Sequence, residues 1–129
     1  MAAVRDGRSV DADHDSLSPF VEDGERISAA VAGELLGPAV ARALDVPDGR
    51  IVGPEPSVVI VVTAERVLAI RRHPGGRIDR VVWAAARSAL GPVDDRADHL
   101  VLGSVGEMIV VRSAARTGMQ RLLAAITVD

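Results

Sequence analysis

Residues 57–72 constrain the fold more than any other part of the chain, because two densely apolar runs flank a short polar segment there. The first run, 58–62, is β-branched, too short to span a bilayer and too uniform for a strand with one exposed face. The second run, 67–70, is similarly apolar, and 63–66 between them is polar enough to turn. This pattern predicts two buried β-strands that pair as a hairpin.

Later segments extend this β-rich core. Residues 77–82 alternate between polar and apolar side chains, which predicts a third strand. The alanine-rich residues 83–90 fit either a short helix or a strand. Residues 99–102 and 107–112 predict two more strands, joined as a hairpin by the glycine-containing residues 103–106.

Helical signals lie on both sides of these strands. The apolar residues of 34–44 recur at helical spacing, with Pro38 in the first turn, where proline is tolerated. Upstream of them, 20–31 fits either a strand or a helix. Near the end of the chain, Ser113 is placed to cap a helix with one apolar face. That face comprises Ala115, Met119, Leu122, Leu123 and Ile126.

These elements predict a small α+β domain: an antiparallel, barrel-like sheet closed by a C-terminal amphipathic helix. A chain of 129 residues is expected to form one domain. Charge is unevenly distributed along it, because residues 1–25 contain seven acids and only two arginines. Residues 1–19 are therefore expected to form an acidic disordered tail, and residues 20–129 a single domain.

Composition narrows the classes of partner. Aromatic residues make up 2% of the chain, and Trp83 and Phe20 are the only ones, so the core must be aliphatic. Stacking platforms for single-stranded nucleic acid are therefore lacking, and the net charge of −3 disfavours binding to duplex DNA. The absence of cysteine excludes disulfides, thiolate metal sites and a cysteine nucleophile. Nucleic acid is not expected as a partner.

No targeting segment is recognised in the sequence. Residues 1–8 carry charge and no apolar leader, and no apolar run is long enough to be a transmembrane segment. Together with the lack of cysteine, this predicts a cytoplasmic protein. All fifteen basic residues are arginine, which is typical of GC-rich coding sequences and indicates a bacterial source.

Three segments resemble bacterial pleckstrin-homology-like domains. Residues 61–70 (VVTAERVLAI) look like their strand–turn–strand segment with the pattern Thr-x-x-Arg-hydrophobic. Residues 23–31 (DGERISAAV) are similar to the Gly-Glu opening of those domains, and 112–126 is similar to their closing strand-to-helix passage. The resemblance covers 20–126. The chain departs from the family in its few aromatic residues and in the helical stretch 33–44, which would be an insertion.

This resemblance implies a bent antiparallel barrel that the final helix closes at one end, and it implies no catalysis. Such domains bind lipids, peptides or each other. The chain is therefore expected to be a non-enzymatic binding or adaptor module. Its partner would be a protein or an acidic ligand, and homo-oligomers are compatible with this interpretation.

A basic turn is the candidate binding site. Arg71, Arg72 and Arg77 flank residues 73–76, whose sequence is His-Pro-Gly-Gly. Guanidinium groups and turn amides together bind oxyanions, so the turn predicts a site for phosphate or an acidic headgroup. One alternative is a solvated turn whose charges protect the edge of the sheet. Another is that the acidic tail lies against this basic surface.

The acidic tail contains a pattern typical of calcium loops. Asp11, Asp13, Asp15 and Glu22 have the spacing of the acids in a twelve-residue EF-hand loop. However, Ser16 stands where the sharp turn of that loop requires glycine, and no helix is predicted before the loop. The segment is therefore expected to be disordered tail, and no metal site is assigned.

No catalytic residue and no cofactor are assigned either. The motifs of serine hydrolases, dinucleotide-binding proteins, P-loop proteins and zinc proteases are absent. His14, His73 and His99 have no sequence neighbours that predict a triad. The alternative to a binding module is a small-ligand enzyme or metal-dependent regulator that uses the N-terminal Asp/His cluster. An enzyme requires titratable groups that converge in a pocket, whereas a module requires only a groove or an exposed edge.

Overall fold

The structure is a computed structural model that describes residues 18–21, 24–44, 50–73, 77–91, 93–96, 99–104, 106–113 and 116–127. The elements in chain order are β1 (Ile27–Leu35), α1 (Pro38–Ala43), β2 (Arg50–Ile51), β3 (Glu55–Thr63), β4 (Arg66–Arg72), β5 (Ile78–Ala86), β6 (Asp94–Arg96), β7 (His99–Ser104), β8 (Glu107–Arg112) and α2 (Arg116–Thr127). Short 3-10 helices occupy Ser18–Phe20 and Arg87–Ala89. Most of the predicted acidic tail, residues 1–17, lies outside the described residues.

The strands form one curled sheet in the order β5-β4-β3-β1-β8-β7-β6, with β2 paired to β8. Neighbours along this order are antiparallel, whereas β2 runs parallel to β8. β1 joins the two halves of the sheet, because it pairs with β3 along most of its length and with β8 at its C-terminal end. The result is a half-barrel with α2 packed on it, which confirms the predicted α+β class.

β3 and β4 form the predicted central hairpin. They pair from Val58 opposite Arg71 to Val62 opposite Val67. All residues of 58–63 and 67–70 are buried. These strands do not alternate between apolar and polar side chains because both of their faces are covered, so neither face contacts water.

The face of the sheet that α2 covers holds the main core. Aliphatic side chains from β1, β3, β4, β7 and β8 pack there against Leu122 and Ile126 of the helix. Trp83 of β5 belongs to the same cluster and is 3% exposed. Its indole Nε1 has no hydrogen-bond partner among the described residues.

The opposite face of β1, β3 and β4 carries a second buried cluster. Its members are Ala30, Val59, Val61, Leu68 and Ile70. Phe20, Val21, Ile27 and Ile78 pack against these residues. Phe20 and Val21, which precede β1, therefore contribute to this cluster.

The helix predicted over 34–44 is shorter than expected. β1 continues through Leu35, and α1 begins only at Pro38, which occupies the first turn, and ends at Ala43. Sheet pairing overrides the helical spacing here, because Leu35 lies opposite Val111 of β8 and the backbone N–H of Leu36 donates to the carbonyl of Val110 at 2.9 Å. The helix that remains covers Val101 and Val110 on the outer face of β7 and β8.

Residues 83–90, which the sequence leaves open between helix and strand, begin as the last part of β5. The strand continues four residues beyond the predicted 77–82 to Ala86, and the Arg87–Ala89 turn follows. Trp83 and Ala85 are buried, whereas Ala84 and Ala86 are exposed. This alternation is typical of a strand, but it is hidden in the sequence because alanine occupies both faces.

The final helix has the predicted apolar face. Leu122 and Ile126 are buried, and Met119 and Leu123 pack beside them; Ala115 lies outside the described residues. Gly118 lets α2 approach the sheet closely, because a Cβ there would lie 3.1 Å from Val31 Cγ1 and 2.9 Å from Ser113 Oγ. The Ser113 hydroxyl donates to the carbonyl of Ala32 at 3.1 Å and so ties the start of the helix segment to β1.

Replacing Gly33 with Ala is expected to lower the free energy of unfolding by about 1–3 kcal/mol. A Cβ at this position would lie 2.8 Å from the carbonyl oxygen of Arg112, a backbone atom held in the β1–β8 pairing. Gly103→Ala in β7 is the matched control, since its Cβ would meet no atom closer than 3.8 Å. Urea unfolding followed by Trp83 fluorescence measures both variants, and equal losses would contradict the steric explanation.

Candidate functional site

The β4–β5 hairpin carries the three predicted arginines at one end of the sheet. Arg71 and Arg72 are the last residues of β4, and Arg77 precedes β5. The backbone N–H of His73 donates to the carbonyl of Arg77 at 2.8 Å and closes the hairpin. Residues 74–76, at its tip, lie outside the described residues.

Arg71 is engaged by Asp79 of β5. Its Nε donates to Asp79 Oδ2 at 2.8 Å, its Nη2 donates to the same oxygen, and His73 Nε2 lies 3.5 Å from that oxygen. The hydrogen bond from Arg71 is the largest cause of a lowered pKa for the Asp79 carboxyl. The charges of Arg71, His73 and Arg80 lower that pKa further, and desolvation opposes them. Arg71 therefore helps to stabilise the hairpin itself through its pair with Asp79.

Three other arginines at this end, Arg72, Arg77 and Arg80, form no ion pair with any described residue. Arg77 and Arg80 are exposed and Arg72 is half-buried. We call these three residues the basic end. The sequence analysis did not include Arg80 in the candidate binding site because it considered only the turn and the arginines that flank it. Arg80 could have been found as a further arginine in the adjoining strand, where polar and apolar residues alternate.

An ion pair between a buried carboxylate and a partly exposed arginine, Arg66 (30% exposed), lies at the other end of β4. The side chain of Glu25 is 1% exposed, and the Arg66 guanidinium donates to both of its oxygens: Nε to Oε2 at 2.8 Å and Nη2 to Oε1 at 2.9 Å. The hydroxyl of Thr63 also donates to Oε2 at 2.8 Å. The Gly-Glu and Thr-x-x-Arg segments, which the sequence interpretation treated as separate motifs, thus meet in one network.

The same network shapes the β3–β4 turn. Thr63 Oγ1 accepts hydrogen bonds from the backbone N–H groups of Glu65 at 3.1 Å and Arg66 at 3.0 Å, which is the usual role of threonine in a turn. Arg66 Nη2 also donates to the carbonyl of Phe20 at 3.0 Å. The network therefore fastens the chain before β1 to the central hairpin.

Its chemistry is that of a structural ion pair. A general base must present a free oxygen within hydrogen-bond reach of a substrate proton. Both oxygens of Glu25 accept charge-assisted hydrogen bonds from Arg66, and one also accepts from Thr63. This arrangement stabilises the ionised carboxylate and keeps it inside the fold.

The N-terminal calcium-loop pattern lies outside the described residues, since Asp11, Asp13, Asp15 and Glu22 all fall in the ranges that the structure leaves out. Within the described ranges, no group of three or more His, Asp or Glu side chains is close enough to hold a metal ion. Of the histidines there, His73 faces Asp79 and His99 begins β7. No described helix is long and apolar enough to cross a bilayer.

The chain matches no protein-family model, and a search of curated proteins finds no match.

Proposed function

We propose that this chain is a non-enzymatic, cytoplasmic binding module of the pleckstrin-homology-like type, and that it recognises an anionic ligand through the basic end. The observation that carries the proposal is the grouping of Arg72, Arg77 and Arg80 at one end of the sheet without an ion pair to any described residue. The structure forms a curled half-barrel sheet with a C-terminal helix packed on it, and this α+β architecture is compatible with the bent barrel that the resemblance implies.

The local geometry suits anion binding. Arginine presents a planar fork of N–H donors that matches the oxygens of phosphate and carboxylate groups. The Arg71–Asp79 pair and the hydrogen bond between His73 and Arg77 hold the two strands together next to these forks. A ligand would therefore meet a preformed strand pair, which reduces the entropy lost on binding.

Replacing Arg77 and Arg80 together with Ser is expected to weaken binding to vesicles of phosphatidylserine and phosphatidylcholine by about tenfold or more, since each arginine near an anionic surface contributes about 1 kcal/mol. The melting temperature should stay nearly unchanged, because exposed charges contribute little to folding. Vesicle co-sedimentation measures the binding. Raising the salt from about 0.05 to 0.5 M should weaken binding of the unmodified chain, because salt screens exposed charges.

Arg26→Ser/Arg42→Ser is the matched control. It removes two exposed arginines outside the β4–β5 hairpin, one before β1 and one on α1. This variant should bind anionic vesicles within about twofold of the unmodified chain. An equal loss in both double variants would show a general effect of net charge, and no binding of the unmodified chain to anionic vesicles would overturn the proposal.

A further inference from the structure

The chain enters the fold on the face of the sheet that leads to the basic end. Phe20 and Val21 pack against the second buried cluster, on the face opposite α2. Ile78, the first residue of β5, packs against the same cluster and lies opposite Arg72. Alternation along β4 places Arg72 on that face as well, two residues after Ile70 of the cluster. The segment before Phe20 therefore starts on the face that carries Arg72.

The basic end is within reach of this N-terminal segment. The carbonyl of Phe20 is held near the start of β4, where it accepts a hydrogen bond from Arg66 Nη2 at 3.0 Å. From Arg66 to Arg72 the strand rises about 20 Å, at about 3.3 Å per residue. A fully extended chain can span about 24 Å from Phe20 back to Asp13 and about 30 Å back to Asp11. Both carboxylates can therefore meet the arginines at the far end of β4.

The charges of the two regions are complementary. Residues 11–15, whose sequence is Asp-Ala-Asp-His-Asp, carry three acids and no arginine. The basic end carries three arginines, and Asp79 of the same hairpin is already engaged by Arg71. Within the described ranges, Glu55 of the neighbouring strand β3 forms no ion pair with any of the three. Opposite charges attract, and a connection within one chain raises their effective concentration to about the millimolar range.

We propose that residues 11–15 lie across the basic end when no ligand is bound and must leave it before an anionic ligand can bind. The two aspartates that can reach it would pair with the exposed guanidinium groups of Arg77 and Arg80. The apparent affinity for the ligand is then reduced by the fraction of chains in which the basic end is open. This regulatory consequence rests on the proposed function, whereas the contact itself can be detected without any ligand.

The contact is tested without a ligand by NMR with a spin label. The chain has no cysteine, so Ala12→Cys provides a single position for a nitroxide. At low salt, broadening is expected to be strongest for the amides of Arg72 and Arg80, and about 0.5 M salt should reduce it there. Without the contact, broadening would centre on the β3–β4 turn, near which Phe20 is held, and this result would overturn the inference.

Two further samples make the assignment specific. In the labelled chain, Arg77→Ser/Arg80→Ser should move the broadening from the hairpin toward the β3–β4 turn, whereas Arg26→Ser/Arg42→Ser should leave it unchanged. Mixing the labelled chain with isotope-labelled chain that lacks the nitroxide detects contact between copies. Broadening at the basic end in that mixture would mean that a second copy supplies the segment, which would overturn the inference of a contact within one chain.

Regulation is tested with vesicles of phosphatidylserine and phosphatidylcholine. Asp11→Asn/Asp13→Asn should strengthen binding about three- to tenfold at low salt, because fewer chains then hold the basic end closed. Glu65→Gln/Glu107→Gln is the matched control, since it changes the net charge equally at acids in the β3–β4 turn and at the start of β8. The control should strengthen binding less than about twofold, because salt screens distant exposed charges. Equal gains in both variants would show an effect of net charge and overturn the inference.

The outcomes separate this inference from the proposed function. Broadening at the basic end, together with no vesicle binding by either the unmodified chain or the Asp→Asn variant, would support the contact and overturn the proposed function. Vesicle binding by the unmodified chain, together with broadening centred on the β3–β4 turn, would support the proposed function and overturn the contact.

Discussion

Replacing Arg66 with Met is expected to lower the free energy of unfolding by about 3–5 kcal/mol, because the buried carboxylate of Glu25 loses the positive charge and the two hydrogen bonds that Arg66 supplies. The carboxylate of Glu25 is 1% exposed, and Arg66 donates to both of its oxygens. Met keeps much of the length of the side chain, so the loss reports the charge and its hydrogen bonds. Urea unfolding followed by Trp83 fluorescence measures it.

Two comparisons separate the charge from other effects. Arg26→Met removes an exposed arginine next to Glu25 and should change stability by no more than about 0.5 kcal/mol. The double variant Glu25→Gln/Arg66→Met should be more stable than Arg66→Met alone, since it also removes the buried negative charge that Arg66 balances. A loss below about 1 kcal/mol in Arg66→Met would contradict the assignment of a buried, structural ion pair.

The second large effect is expected in the final helix, where Leu122→Ala should cost about 2–5 kcal/mol. Leu122 is fully buried against the main core, so the substitution leaves a cavity between α2 and the sheet. Thermal and urea unfolding both report this loss.

Leu123→Ala is a matched control because it makes the same substitution at the next position of the same helix. Leu123 is only partly buried, so its loss should be clearly smaller than that of Leu122. Both changes have the same effect on helix propensity, which cancels in the comparison. Equal losses at the two positions, or a loss below about 1 kcal/mol at Leu122, would mean that the helix packs through a different face.

The strands and the final helix could be predicted because their signals are local. The runs 58–62 and 67–70 are long enough and apolar enough to specify buried strands, and the glycine-containing residues 103–106 specify the β7–β8 hairpin. Leu122 and Ile126 recur at helical spacing, so the buried face of α2 follows from the sequence. Each of these predictions depends on residues that lie in the same strand or helix, or in two consecutive ones.

The sites depend on contacts that no local pattern contains. Glu25 and Arg66 are 41 residues apart in the chain, so their motifs can be recognised separately but their contact cannot. Arg87 reaches the carbonyl of Ile126 from 39 residues away, so the contact between the residue after β5 and α2 cannot be recognised locally either. The engagement of Arg71 by Asp79 likewise follows from the β4–β5 pairing.

By itself, the sequence determined the class of fold, the central hairpin and the apolar face of α2, since hydrophobic periodicity acts over a few residues. Only the tertiary structure decided that Leu35 and Leu36 pair with β8 instead of continuing into a helix, and that the Glu25 side chain is buried against Arg66. The physical reason is that burial and backbone pairing are set by partners distant in the chain. Where such a partner is available, as Val110 and Val111 are for residues 35–36, its hydrogen bonds outweigh a weak local preference.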